Sequence, residues 1–233
     1  MIASGVTVQG NLDALQEQRN REWPPEQVAA HKKWRESIEA AAERDQFVKV
    51  GDVVEPFTLP EVDGGEVDLL ELLATAPVVL IFFRFESCPA CNAALPAYRD
   101  ALAPALNELG VHLVAVSPQV PGRLIAIKHR LGIEFPVASD QETRLIHAFG
   151  VAFAPDEEEQ ERQRRDGGGI AELLGNGKWE LPHPTVVVID QLRVVRFADV
   201  HPDWMVRTEA DAVVQAVSAL VPARSRAVDP SPR

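Results

Sequence analysis

The sequence predicts an α/β fold: a central mixed β-sheet flanked by helices, with an N-terminal helical extension. Three observations predict it. Strand-like apolar runs alternate with segments of helical periodicity over most of the chain, the pattern of a mainly parallel sheet with helices on both faces. The run "APVVLIFF" is continuously apolar, as a strand covered on both faces is, and "VHLVAVSP" reads as another buried strand. The last two runs, "PTVVVID" and "RVVRFADV", are separated only by "QL", close enough to pair antiparallel and make the sheet mixed.

In chain order, residues 11–45 read as helix. After "WPP", whose prolines suit a helix start, Val28, His31, Trp34, Ile38 and Ala41 recur at three- and four-residue steps and form one face. This extension, 1–46, is expected to cover a side of the main unit or to meet a second copy in a homodimer. The main unit is expected over 47–222. It opens with "VKVGDVVEPFTLPEVDGGEVDLLELL", where Asp63-Gly64-Gly65 predicts a tight turn between two short strands and "VDLLELLAT" a short helix. The strand "APVVLIFF" follows, then the helix "NAALPAYRDALAPALNELG", kinked at Pro96 and closed by Gly110. "VHLVAVSP" is a strand, "PGRLIAIKHRLG" a helix between proline and glycine, "EFPVASD" a strand, and "QETRLIHAFGV" a helix with Leu145, Ile146 and Phe149 inward. Residues 152–180 are charged and glycine-rich, and predict an exposed insertion with a hairpin turn at Asn176-Gly177. After the strand pair comes the helix "TEADAVVQAVSALV". The tail 223–233 is expected to be disordered.

Composition excludes several function classes. The chain has 233 residues, 46% of them apolar and 25% charged, enough for a sizeable core. Its net charge is −12, from 23 Lys+Arg and 35 Asp+Glu, and no basic run interleaves with aromatics, so no nucleic-acid partner is expected. No run approaches the roughly 18 apolar residues of a membrane helix, so no membrane is expected. The start, "MIASGVTVQGNLDALQEQ", lacks a basic region followed by an apolar one, and a cytoplasmic location is expected.

The chemistry concentrates in "VVLIFFRFESCPACNAALPAY". Its two cysteines, Cys88 and Cys91, are the only ones in the chain. They stand where a buried strand gives way to a helix. At a helix N-terminus, unpaired N–H groups and the helix dipole favour a thiolate, the nucleophilic form. Cys91 lies one turn on, within reach of a mixed disulfide or sulfenic acid on Cys88. Pro89 stiffens the loop and suits the first helical turn. Arg84 would support a thiolate, Glu86 would oppose one, and Ser87 adjoins the sulfur. Zinc normally requires four ligands, and the six histidines show no zinc-type pairing. A static disulfide does not suit a reducing compartment. Redox cycling is the reading the pair supports best, with no bound cofactor required. Later, "LPHPTVVVID" places Pro184 and Thr185 at a strand entry; such a proline serves either a tight, sometimes cis, bend or a simple strand start.

The order strand, Cys-Pro-x-Cys, helix, Pro-Thr, strand resembles the thioredoxin fold. Across residues 48–221 the chain is similar to the peroxiredoxin-like branch, the alkyl hydroperoxide reductase and thiol-specific antioxidant (AhpC/TSA) family. "VGDVVEPFTLPEVDGGEVDL", "FFRFESCPACN", "VAVSPQ", "FPVASDQETRLIHAFGV" and "LPHPTVVVID…VVRFADVHPDWMVR" carry the likeness. The resemblance implies Cys88 as attacking thiol, Cys91 as resolving thiol and Pro184 as a cis-proline shaping the groove. It implies reduction of a small-molecule peroxide and regeneration by an external thiol, either a thioredoxin-like protein or a low-molecular-weight thiol. Departures stand beside it. Ile81 and Phe85 occupy the proline and threonine places of the family's Pro-x-x-x-Thr-x-x-Cys motif, Ser87 replaces a tryptophan, and Gln191-Leu192 replaces Asp-Gly. Arg207 aligns with a family arginine and reads as a surface salt-bridge residue. The alternatives are a thiol-disulfide oxidoreductase acting on a protein or metabolite disulfide, and a redox-responsive binding protein with little turnover.

Overall fold

A computed structural model describes residues 7–165 and 167–221. The predicted tail 223–233 lies outside them. Two helices come first, α1 (Val8–Glu22) and α2 (Pro25–Ala41). Thr7 caps α1 by accepting the Gly10 N–H at 2.9 Å. Pro25 opens α2 at a position where no intrahelical N–H is needed.

The strands β1 (Thr58–Pro60) and β2 (Glu66–Asp68) form an antiparallel pair. Their turn requires glycine, because Gly64 and Gly65 have φ of 107° and 82°. Then follow α3 (Leu69–Thr75), β3 (Val78–Phe82), α4 (Pro89–Ala97), α5 (Ala103–Leu109), β4 (His112–Ser117), α6 (Pro121–Leu131), β5 (Val137–Ser139) and α7 (Arg144–Ala148). The chain continues through β6 (Ala152–Phe153), α8 (Glu157–Arg165), α9 (Ile170–Leu174), β7 (Leu181–Pro182), β8 (Thr185–Ile189), β9 (Val195–Val200) and α10 (Ala210–Ser218).

The central sheet has the order β5-β4-β3-β8-β9. β3 runs parallel to β4 and antiparallel to β8, and β8 antiparallel to β9, so the sheet is mixed. Every residue of β3 and β8 is buried, as their continuous apolar runs predict. Side-chain alternation splits the core. Val79, Ile81 and Phe83 join the cluster that holds both cysteines and α4, α6 and α10; Val78, Leu80 and Phe82 join the one under α3 and α7.

Three expectations need correction. Pro96 lies within α4, and the irregularity comes just after it. A wide helical turn, Tyr98–Leu102, joins α4 to α5, its Ala103 N–H reaching back to the Tyr98 carbonyl, and Pro104, with no N–H to offer the Asp100 carbonyl, follows it directly. Asn176-Gly177 is not a hairpin turn. The Asn176 amide donates to the carbonyls of Pro118 at 3.0 Å and Gln141 at 2.9 Å, tying the loop to the main body. The strands flanking 152–180, β6 and β7, pair far from it, and Ile170 and Leu174 of α9 are buried. The third concerns Pro184. No described peptide bond is cis. The backbone on both sides of Pro184 is held extended: His183 N–H donates to Val151 at 2.8 Å, and the Pro184 carbonyl accepts the His201 N–H at 2.9 Å. Under that constraint the ordinary trans preference prevails.

Candidate active site

The loop 84–88 leaves β3 and enters α4, and six of its ten polar backbone groups are engaged. The Arg84 carbonyl accepts the Ser117 hydroxyl at 2.8 Å, and the Glu86 N–H donates to Gln119 at 2.8 Å. The Cys88 N–H donates to the Phe85 carbonyl at 3.2 Å. The Asn92 amide donates to the carbonyls of Glu86 at 2.7 Å and Cys88 at 2.8 Å. A loop pinned this way holds its cysteine in one place, which a nucleophile requires.

Cys88 is the N-cap of α4. Its Sγ accepts the Cys91 backbone N–H at 3.3 Å and an Arg84 Nη2–H at 3.0 Å. Both sulfurs are buried, Cys88 at 0% and Cys91 at 1% exposure, and neither is in a disulfide. Burial by itself pushes the Cys88 thiol up. The Cys91 thiol hydrogen bond, the charges of Arg84 and Arg207 and the Cys91 N–H outweigh it and hold Cys88 well below the ordinary thiol range. Cys91 goes the other way: burial and the neighbouring Cys88 sulfur push it well above that range. One proton is thus shared unequally, with Cys88 as thiolate and Cys91 as thiol.

Arg84 is the nearest cation and is fully enclosed. Burial works against its charge, and the two cysteine sulfurs more than offset that cost. Its guanidinium stacks over the Trp204 ring at 4.6 Å and lies 5.5 Å from the Phe85 ring centre. Glu86 does not oppose the thiolate. Its carboxylate pairs with Arg130, which also donates to Asn92 at 2.8 Å. Ser87 is exposed and, among the described residues, makes no hydrogen bond to Cys88. Pro89 occupies the first turn of α4. Pro184 and Thr185 line a small void beside Cys91, together with Tyr98, Arg207 and Thr208. The Thr185 hydroxyl is spent on the His183 carbonyl at 2.8 Å.

Arg207 is misread as a surface salt-bridge residue. It is 7% exposed, faces Cys91 with Nη2 3.8 Å from the sulfur, and its Nε is buried without a partner. The segment 201–208 carries it inward because Trp204 and Met205 anchor in the core. Sequence reasoning also missed Trp204 and Arg19. Trp204 lies between Arg84 and the ring of Trp34, 4.7 Å from the latter. Arg19, on α1, is 6% exposed; it donates to the Met205 sulfur at 3.4 Å and stacks on Trp23 at 5.0 Å. A charged residue on the apolar side of a helix is the only sequence signal Arg19 offers.

The AhpC/TSA family model matches residues 50–198. Among curated proteins, the chain is 31% identical over 101 residues to a Mycobacterium tuberculosis protein assigned by name to the peroxiredoxins. That match covers 43% of this chain and 63% of the relative, so the chain spans less than two thirds of that protein's length. It is 26% identical over 143 residues to the thiol-disulfide oxidoreductase ResA of Halalkalibacterium halodurans, covering 59% of this chain and 80% of ResA. Among solved structures, the peroxidoxin BcpB of M. tuberculosis superposes with a TM-score of 0.58 at 24% identity, over 74% of this chain and 98% of BcpB. The fold is that of the peroxiredoxins, a thioredoxin-type mixed sheet flanked by helices.

Proposed function

Since the chain belongs to the AhpC/TSA family, we propose that it is a thiol-dependent peroxidase working through Cys88 and Cys91. One observation carries the proposal: the Cys88 sulfur accepts hydrogen bonds from Arg84 and from the first turn of α4, with Cys91 on that same turn. The Cys88 thiolate attacks the nearer oxygen of a small peroxide ROOH, and the O–O bond breaks. Cys88 becomes a sulfenic acid, and the leaving alkoxide takes the Cys91 thiol proton and departs as ROH. The Cys91 thiolate then attacks the Cys88 sulfur and expels hydroxide, leaving a disulfide. Two equivalents of an external thiol, on a thioredoxin-like protein or a small molecule, restore the dithiol and leave as their own disulfide.

The charge pattern suits each step. The depressed Cys88 thiol is nucleophilic near neutrality, and the raised Cys91 thiol keeps a proton to give. The family's threonine hydroxyl is missing at Phe85. In its place Arg84 offers several N–H donors to the oxygen on which charge develops. Within the expected division at 46/47, the described part of the main unit then serves as the catalytic body and α1 and α2 of the arm as its cover.

A second reading is a thiol-disulfide oxidoreductase, in which Cys88 attacks a substrate disulfide and Cys91 releases the product. Two observations favour it: Ile81 and Phe85 leave the motif without its hydroxyl, and the chain is similar to ResA. Rapid mixing with hydrogen peroxide separates the two. Loss of one thiol pair per peroxide within seconds, abolished in Cys88→Ser, is expected; Cys91→Ser should stop at a sulfenic acid on Cys88, seen by intact-mass spectrometry. Slow peroxide reaction with fast reduction of a disulfide substrate would replace the first reading by the second.

A further inference from the structure

We propose that the α1–α2 arm is a redox-gated cover, docked while Cys88 carries a thiolate and released once oxidation removes that charge. The proposal rests on the peroxidase reading only for which oxidant acts; the gate itself rests on charge and packing.

The arm closes the site. Val8 and Leu12 of α1 and Ile38 of α2 are buried in the cluster that holds both cysteines, and the Asn11 amide donates to the Ala93 carbonyl of α4 at 3.0 Å. The segment 203–209 receives the arm. The Glu209 carboxylate accepts the first N–H groups of α1, from Val8 at 3.0 Å and Gln9 at 2.8 Å. Asp203 binds Arg35 at 2.6 and 2.8 Å, and Trp204 packs against Trp34 and His31.

The arm also brings a charge. Arg19, Arg84 and Arg207 are each nine-tenths or more buried, and no carboxylate pairs with any of them among the described ion pairs. The carboxylates nearby are committed elsewhere: Asp199 to His201, Asp203 to Arg35, and Glu209 to the start of α1. His31 adds no positive charge near neutrality, being held down to about 4 by its burial and by Arg19, Arg35 and Arg84. The nearest negative charge is the Cys88 thiolate: Arg84 donates to it directly, Arg207 faces the adjoining Cys91 sulfur, and Arg19, donating to the Met205 sulfur, feels it through space. Burial pushes Arg19 down, Cys88 holds it up, and Arg84 and Arg35 push it down.

Disulfide formation removes that anion, because its charge leaves as hydroxide in the step written above. Three buried cations then face one another, and Arg84 loses its charged acceptor. Stripping the partner from a buried charge is strongly destabilising. Of the three, Arg19 alone lies on a segment that can swing into water without breaking the central sheet. The coupling is reciprocal: an absent arm must raise the Cys88 thiol by the same free energy that the thiolate lends to docking. In the docked form both sulfurs are buried. In the released form a bulky thiol reductant reaches the disulfide.

Hydrogen exchange on the full chain tests this. Exchange over residues 8–41 is compared between dithiol and disulfide forms, the latter made with diamide so that it forms whether or not the protein reduces peroxide. About tenfold or faster exchange in the disulfide form is expected, with α3 and α7 unchanged. Cys88→Ser, uncharged under reducing conditions, should exchange like the disulfide form, and Arg19→Met should bring the two redox states together. Arm protection equal in both states, or Cys88→Ser as protected as the dithiol, would overturn the gate. Opening with diamide but no peroxide turnover would keep the gate and end the peroxidase reading; fast turnover with unchanged protection would do the reverse.

Discussion

Along β3, Val78, Leu80 and Phe82 turn to one side of the sheet and Val79, Ile81 and Phe83 to the other. The first set meets Leu69, Leu73, Ile146 and Phe149, and the rings of Phe82 and Phe149 lie 5.2 Å apart. The buried carboxylate at its edge, Asp140, is satisfied by the Leu145 and Ile146 N–H groups at 3.0 Å each. The second set meets Cys88, Cys91, Tyr98, Trp204 and Met205, and beside them stand Arg19, Arg84 and Arg207. There Arg84 Nε, Arg207 Nε and Trp204 Nε1 are buried without partners. The same strand thus serves two cores. One is apolar and satisfied. The other holds unpaired cations around a thiolate, an arrangement that costs stability unless the anion is present. The contrast supports the proposed placement of function on the side where the packing is energetically expensive.

The largest expected effects separate the two faces. Leu80→Ala opens a cavity on the apolar side and should cost about 2–5 kcal/mol, read as a lowered urea midpoint. Peroxide turnover per folded molecule should stay the same. Cys88→Ser should take peroxide consumption to the uncatalysed background, and because it strips buried Arg84 of its charged acceptor the urea midpoint should fall as well. A Leu80→Ala enzyme that is fully folded yet inactive would erase the division.

Next in size is Arg84→Met. Losing the nearest cation should raise the Cys88 thiol and leave less thiolate at pH 6. The midpoint of iodoacetamide alkylation against pH should then move upward, and below that midpoint the rate should fall about tenfold per pH unit. Arg84→Lys should recover part of the rate, since it restores the charge but not the planar fork. The stability consequence has a definite sign. Cys88 is an acid depressed in the folded state, so the stability it lends is complete above the pKa of the unfolded thiol and is lost as pH falls through the lower folded value. Arg84→Met should flatten that acid limb. An unchanged alkylation profile would show that the thiolate is held by something other than Arg84.

The apolar face was the more legible of the two in the sequence. Continuous runs announce β3, β4 and β8, and Gly110 and Gly132, with φ of 68° and 61°, end helices where their place predicts. The dithiol was legible too, because a strand, a Cys-Pro-x-Cys and a helix are neighbours in the chain. The charges around it were not. Tertiary packing of α1 brings Arg19 to the Met205 sulfur and packing of the segment after β9 brings Arg207 to the Cys91 sulfur, and nothing in the local sequence of either announces that placement. Trp204 carries no sequence signal of its own, and its position between Arg84 and Trp34 gives it a role. Pro184 misled in its isomer, since the ladder on both sides of it, not its own residue type, fixes the bond.

A smaller effect should appear at the arm. His31 is half-buried, and its pKa falls to about 4 through burial and through Arg19, Arg35 and Arg84, against a raising pull from Asp203. A histidine depressed in the folded state favours docking above about pH 6.5 and withdraws that support as pH falls toward 4, where the released arm binds the proton first. Tryptophan fluorescence from Trp23, Trp34 and Trp204 should report loosening over that window. His31→Phe keeps the ring contacts and removes the proton site, so the acid-side change should shrink. Equal change in both proteins would move the acid sensitivity to Asp203 and Arg35.

The smallest expected effect is the most discriminating about direction. Glu86 sits two residues before Cys88, and by sequence proximity it should repel a thiolate. Its carboxylate instead turns to Arg130, which also holds Asn92 and the Glu86 carbonyl. Glu86→Gln removes the charge and keeps the shape. If geometry governs, the Cys88 alkylation profile should shift little, and the Arg130 contact, partly exposed, should cost on the order of 1 kcal/mol or less. If sequence proximity governed, the thiol would drop and alkylation at pH 6 would quicken. A quickening of several-fold would place the Glu86 charge in the thiolate's field and require Arg84 and Arg207 to be doing correspondingly more against it.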